Sequence, residues 1–146
     1  MPSLSDALLN EDKKAAVIAD CCTLIDEEVA SKSGISGLAI KAGYGAVKGI
    51  KPGFVKQVVT DLLPEFAKAL EPIWLEAKEA SKPVVAHYEA NAPRAADALL
   101  AITDAKAKVS KSGVVKGTYE KLRPTAKKHV EAAVPRLARL VEKHGG

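Results

Sequence analysis

The amino-acid sequence predicts an all-α fold, a compact bundle of six to eight helices. Three observations point there. Apolar residues recur at intervals of three and four along most of the chain, the spacing of one helix face. No segment shows the β-branched alternation of a strand. The composition is 47% hydrophobic but only 4% aromatic, so the core must be built from Ala, Leu, Val and Ile. A chain of 146 residues with 27% charged residues suits one helical domain over 1–146, and these counts exclude a collagen, a disulfide scaffold and a membrane bundle.

The elements follow in order. Leu8, Leu9, Val17, Ile18, Cys21, Leu24, Ile25 and Val29 form the first stripe. Asn10 caps its start, Glu11 and Asp12 suit the positive end of the helix dipole, and Ser33-Gly34 ends it, because Gly tolerates a left-handed cap. Residues 35–51 keep the helical period, with Ile35, Ala39, Gly43, Ala46 and Ile50 on one side and Lys41, Tyr44, Lys48 and Lys51 on the other. Glycine inside a helix costs roughly 1 kcal/mol relative to Ala. Close approach of another backbone is the usual offset, and Gly45 and Gly49, one turn apart, have the small-xxx-small spacing that permits it.

Pro52 opens the next helix, through Phe54, Val55, Val58, Val59, Leu62 and Leu63. Pro64 kinks it without stopping it, since Phe66, Ala67 and Leu70 keep the apolar phase. Pro72 is read as the start of a further short helix over 73–81, and Pro83 opens 84–88, helical or irregular. Asn91 or Pro93 starts a helix that runs to about Val109. After Ser112-Gly113 a short helix passes Val115, Tyr119 and Leu122; Pro124 opens the last, with Pro135 in its middle and Gly145-Gly146 at the end.

The punctuation repeats. Pro64, Ala67 and Glu71 answer Pro135, Ala138 and Glu142 at an offset of 71 residues, and Ser31-Lys-Ser-Gly34 equals Ser110-Lys-Ser-Gly113. Asp20 and Asp26 answer Asp97 and Asp104. The expectation is an internal duplication of a three-helix unit, over about 11–71 and 91–143, joined by the segment 72–90.

Charge is distributed as a gradient beneath the net +4. Residues 1–31 carry two lysines against seven carboxylates, and residues 106–146 carry eleven cations against three. The two ends are expected to complement each other within the fold; a basic patch for nucleic acid or an anionic membrane surface is the alternative. The first ten residues lack Lys and Arg, so no secretory leader is read there, and adjacent Cys21 and Cys22 could form only a strained disulfide. At least one reads as a small apolar side chain, and the expected compartment is the cytoplasm.

No arrangement of catalytic residues emerges. Gly43-Tyr-Gly45-Ala-Val-Lys-Gly49 superficially suggests a phosphate loop, but it lacks the preceding strand and a Gly-Lys-Ser/Thr. His87, His129 and His144 are too widely spaced for a metal motif, and His129, beside Lys127 and Lys128, reads as part of a solvated face. The matched aspartates read as caps or salt-bridge partners. No catalytic residue, metal ligand or cofactor is assigned, and the protein is not expected to be an enzyme.

The stretches Ser36-Gly-Leu-Ala-Ile-Lys-Ala-Gly-Tyr44, Ile50-Lys-Pro-Gly-Phe-Val55 and, most specific, Tyr119-Glu-Lys-Leu-Arg-Pro-Thr-Ala-Lys-Lys-His-Val-Glu-Ala-Ala-Val-Pro135 carry a resemblance over nearly the whole chain. They resemble a family of small bacterial proteins catalogued as a domain of unknown function. The resemblance implies a bacterial cytoplasmic protein that is a domain by itself, and it supplies no activity, cofactor or site residue.

The function expected is that of a non-catalytic binding or assembly module. Its partner would be another protein, a second copy or an anionic lipid surface, met through Gly45, Gly49, Lys41 and Lys48 of the Gly-rich helix and the basic face of 106–143. The alternative is a nucleic-acid binder using Lys121, Arg123, Lys127, Lys128, Arg136 and Arg139. With Tyr119 the one aromatic in that half, base stacking has little support. No small-molecule substrate is inferred.

Overall fold

In a computed structural model, residues 3–145 are described; Met1, Pro2 and Gly146, the ends of the expected 1–146 domain, lie outside the described residues. Seven helices and no strand occur among the described residues: α1 (Leu4–Leu9), α2 (Glu11–Ser31), α3 (Gly34–Lys48), α4 (Phe54–Glu79), α5 (Val84–Ala90), α6 (Ala92–Val109) and α7 (Gly113–Gly145). The fold is an all-α compact bundle.

Helix α1 was folded into the first stripe by its sequence pattern, but it is separate. A Ser3–Asp6 capping box starts it, and the extended backbone of Asn10 breaks it from α2, where the Asn10 side chain accepts the Asp12 amide at 2.9 Å. Helix α4 is the central element. Val59, Leu62, Leu63, Ala67, Leu70, Ile73, Trp74 and Ala77 are buried along it, an unbroken three- and four-residue series over five turns of apolar contact.

Two expected breaks are absent. Pro72 does not open a new helix and Pro124 does not open the last one: α4 runs through Pro64 and Pro72, and α7 runs through Pro124 and Pro135. A proline inside a helix removes one N–H and orphans the carbonyl four residues back. Pro64, Pro72 and Pro124 lie on exposed faces, so the freed carbonyls of their turns stay hydrated while the opposite face keeps its packing. Consequently residues 91–143 form two helices where three were expected, against three over the stretch that begins at residue 11.

The end of α4 is set by a Schellman motif. Ser81, at φ 54, donates its amide to the Lys78 carbonyl at 3.2 Å, and Lys82 donates to Ala77 at 2.8 Å. Tyr88 of α5 is wholly buried, and its hydroxyl donates to the Leu70 carbonyl at 2.7 Å, which pins α5 on α4.

Burial is uneven. Leu4, Val17, Ala67, Tyr88, Ala95, Val134, Ala138 and Val141 are fully enclosed where α1, α4, α5, the C-terminal half of α7 and parts of α2 and α6 meet. From residue 19 to 58 only Glu28 and Gly37 are buried, and from 101 to 133 none is. In this thin part α3 runs antiparallel to α7: Ser36 lies by His129, and Gly43 lies by Thr118 and Leu122.

Candidate functional site

The outward face of α3 has an unusual character. Ile35 is 91% and Leu38 68% exposed. At the helical spacing that continues them, Ala42, Gly45, Ala46 and Gly49 are exposed as well. Lys41 and Lys48 flank this face in the open, and α3 contains no acidic residue. The Lys48 ammonium rests 5.1 Å from the Tyr44 ring centre, and the Tyr44 hydroxyl donates to the Asp26 carboxylate. Burial and that carboxylate push the Tyr44 hydroxyl pKa up.

The sequence phase of α3 needs correction. Ile35 and Ala46 point to water, and the covered side is that of Ser36, Gly37, Ile40, Gly43, Tyr44 and Val47. Gly45 and Gly49 make no close approach to another element: a Cβ at Gly45 would meet nothing within 4 Å, and at Gly49 only the helix's own carbonyls. The contact is made by Gly43, where a Cβ would lie 2.8 Å from Thr118 Cγ2 and 3.0 Å from Leu122 Cδ1. Tyr44 displaces Ile35 from the inner face because its ring covers apolar surface while its hydroxyl finds Asp26.

Beside the first turn of α3 lies a cleft of about 440 Å³, bounded by the end of α2 and the middle of α7. Four cations line it, Lys32, Lys128, Arg136 and Arg139, against the single carboxylate of Glu28. Glu28 is only 8% exposed, and it holds Lys32 Nζ at 3.1 Å and Arg136 Nε at 3.0 Å. Arg136 also reaches Glu27 at 2.7 Å. Lys32 further donates to the His129 carbonyl at 3.3 Å, and His129 Nε2 lies 3.3 Å from Ser36 Oγ. His129 is therefore half-buried at an interface instead of on a solvated face. Burial, then Lys32 and Lys128, hold its pKa below 6.5.

The six basic residues assigned to a nucleic-acid surface do not share one face. Arg123 pairs with Asp104 at 2.8 Å and Lys127 with Asp97 at 3.2 Å, on the side of α7 that meets α6. Lys128, Arg136 and Arg139 line the cleft, and Lys121 is exposed. The cause is helical phase, since Arg123 and Lys127 sit one turn apart and away from Lys121, Lys128 and Arg139. The acidic head and basic tail meet inside the molecule: Asp20 takes Lys143 at 2.9 Å and His144 at 2.6 Å, and Glu27 and Glu28 take Arg136.

Asp104 also accepts the Tyr119 hydroxyl, so the α2–α3 and α6–α7 elbows each carry an Asp–Tyr tie with a cation four residues beyond the tyrosine, Lys48 in the first and Arg123 in the second. Cys21 and Cys22 are free and pack against the core; burial pushes the Cys21 thiol up to about 11, and burial with Asp26 raises that of Cys22. Neither is an activated thiolate. Among the described residues, no group of three His, Cys, Asp or Glu side chains is placed to hold a metal ion, and no helix is long and apolar enough to cross a membrane.

The model of a protein family, described as a family of unknown function (DUF6918), matches residues 4–145. The chain belongs to that family. No curated protein and no solved structure matches the chain. For this DUF6918 member the function has to be argued from its surfaces. Sequence reasoning reached Gly45, Gly49, Lys41 and Lys48 for one of them. It named Lys128, Arg136 and Arg139 of the cleft but not the opposite wall of Glu28, Ser31, Lys32 and Ser33, although Ser31-Lys-Ser33 stood out within a repeated motif.

Proposed function

We propose that the protein is a cytoplasmic, non-catalytic module that docks reversibly on an anionic lipid surface through the outer face of α3. The observation that carries this reading is the pairing of exposed Ile35 and Leu38 with Lys41 and Lys48 on a helix without a carboxylate. Apolar side chains entering the acyl boundary beside lysines at the headgroups is how interfacial helices bind. Burial of the two aliphatic side chains is worth about 3–5 kcal/mol. Each lysine near an anionic leaflet adds about 1 kcal/mol. The total is of the order of a single myristoyl chain, which gives weak and reversible attachment. A second copy is a poorer occupant, since the face it would present carries lysines and α3 has no acid to pair with them.

Co-sedimentation with vesicles tests the reading. Wild type is expected to pellet with phosphatidylglycerol-containing vesicles, less so as salt is raised, and to stay free of zwitterionic ones. Ile35→Ser with Leu38→Ser should abolish most of the binding, and Lys41→Gln with Lys48→Gln should remove its salt dependence. No pelleting at low salt, or pelleting that both double variants retain, overturns it. A sedimentation shift with protein concentration that the Ile35/Leu38 variant loses would put a second copy in place of the lipid.

A further inference from the structure

The cleft at the α2–α3 elbow is a separate feature, on the side of α3 that faces α7. We propose that it is a binding site for a phosphate group, carried by a small phosphomonoester or by a phospholipid headgroup. Three features of the geometry support this. The lining holds an excess of cations, four against one carboxylate. Those cations differ in how they are held. Glu28 fixes Lys32 and Arg136 in place, while Lys128 and Arg139 have no ion-pair partner among the described residues. Two are thus preorganised and two are free to close on a ligand, an arrangement that lowers the entropic cost of binding.

Hydrogen-bond donors converge on the same space. Ser33 and Ser36 line it, and Ser33 makes no side-chain cap to α3, whose first turn carries no acid. Of that first turn only Ser36 borders the cleft, so the side chains of the serines and the cations, and not the helix amides, are the donors that would meet an anion. Arg139 can offer a fork to two oxygens, which suits phosphate better than a point charge does. The volume, about 440 Å³, exceeds that of the phosphate alone and leaves room for a short organic moiety. A second cleft on the molecule is a useful contrast: Asp104 and Glu120 balance Lys108 and Lys116 there, and it has no preference of this kind.

His129 provides the readout. Its ring nitrogen meets Ser36 of α3, Lys32 at the C-cap of α2 bonds its carbonyl and pairs with Glu28, and Lys128 precedes it on α7. An anion among these cations favours the imidazolium, so the His129 pKa should rise on binding. The full-length protein would be titrated with sodium phosphate, and with sodium chloride at equal ionic strength, while imidazole resonances are followed by NMR. Phosphate is expected to raise the His129 pKa where chloride does not. Lys128→Gln with Arg139→Gln, which breaks no internal ion pair, should weaken phosphate binding by at least about tenfold at unchanged Tm.

Two arms separate the sources. Glycerol phosphate probes the free phosphomonoester, and a short-chain phosphatidate below its micelle concentration probes the headgroup; preference for one identifies the carrier. The inference does not depend on membrane docking, because Lys41→Gln with Lys48→Gln should leave phosphate affinity unchanged. A His129 response equal in phosphate and chloride, or affinity that the Lys128/Arg139 variant retains, overturns the site.

Discussion

Where α1, α4, α5 and the last turns of α7 meet, Leu4, Ala67, Tyr88, Val134 and Ala138 lose all contact with water, whereas where α3 crosses the first turns of α7 only Gly37 is buried. The first region is held by apolar area, at about 25 cal/mol per Å² removed from water. The second is tied by polar contacts, Tyr44 to Asp26 and Tyr119 with Arg123 to Asp104, each of which nets about 0.5–1.5 kcal/mol. The contrast teaches why the candidate surfaces lie where they do. A helix that spends its apolar side chains inward has none to offer, and α3 keeps Ile35 and Leu38 outside.

The same kind of truncation should therefore give unequal losses at the two ends. Ile73 is 1% exposed within the dense core, and Ile73→Ala is expected to cost about 2–5 kcal/mol through lost transfer energy and a closed cavity. Leu122 is only half-covered, so Leu122→Ala should cost about 1 kcal/mol, because the space it leaves opens to water. Denaturant unfolding of both variants measures the difference. Equal losses would mean that the thin end is as tightly integrated as the core.

Which parts were legible in the sequence follows the same division. The stripe of α4 and the starts of α2 and α6 could be read because deep burial imposes a strict period, and Asn10 caps through its own side chain. The continuity through Pro72 and Pro124 was hidden: a proline signals a break unless one knows that it faces water, and facing is a tertiary property. The phase of α3 was misread because Ile35 and Ala46 look like core, and nothing local reveals that Tyr44, set on the polar side, turns inward beside Gly43. Gly45, Gly49 and Lys41 lie in the open and Lys48 leans over Tyr44 of its own helix, so the close helix contact expected of the two glycines is absent. Of the cleft, Lys128, Arg136 and Arg139 were among the basic residues named from sequence, but its α2 wall was not legible, since Glu28 and Arg136 are more than a hundred residues apart and only the α2–α7 packing joins them.

Two glycines two residues apart sharpen the comparison further. Gly45→Ala meets open space and should stabilise the protein by about 0.5–1 kcal/mol, the helix-propensity gain alone. Gly43→Ala gains the same propensity but drives a Cβ to 2.8 Å from Thr118 Cγ2. Thr118 is β-branched and stiff at χ1, so it yields little, and overpacking of about 1–3 kcal/mol exceeds the gain. The expected net is a loss of about 1 kcal/mol. Adding Thr118→Ser removes the clashing methyl and should restore much of it, a coupling that thermal denaturation of the four variants would measure. A stabilising Gly43→Ala would show that α3 and α7 are not in close contact.

The smallest effect expected concerns the polar ties themselves. The Arg123 guanidinium, and then the Tyr119 hydroxyl, hold the Asp104 carboxyl below its ordinary value of 3.8. A folded-state pKa depressed in this way contributes stability that is complete above 3.8 and is lost as the pH falls through the lower folded value. The Asp104 side chain is 43% exposed, so solvent screens the pair and leaves its contribution small. Asp104→Asn should thus lower stability slightly at neutral pH, most visibly as faster amide exchange in the first turns of α7, and its deficit should vanish as wild type is acidified. Were the deficit the same at every pH, the tie would act through shape and hydrogen bonding, and charge would have no part in holding the thin end.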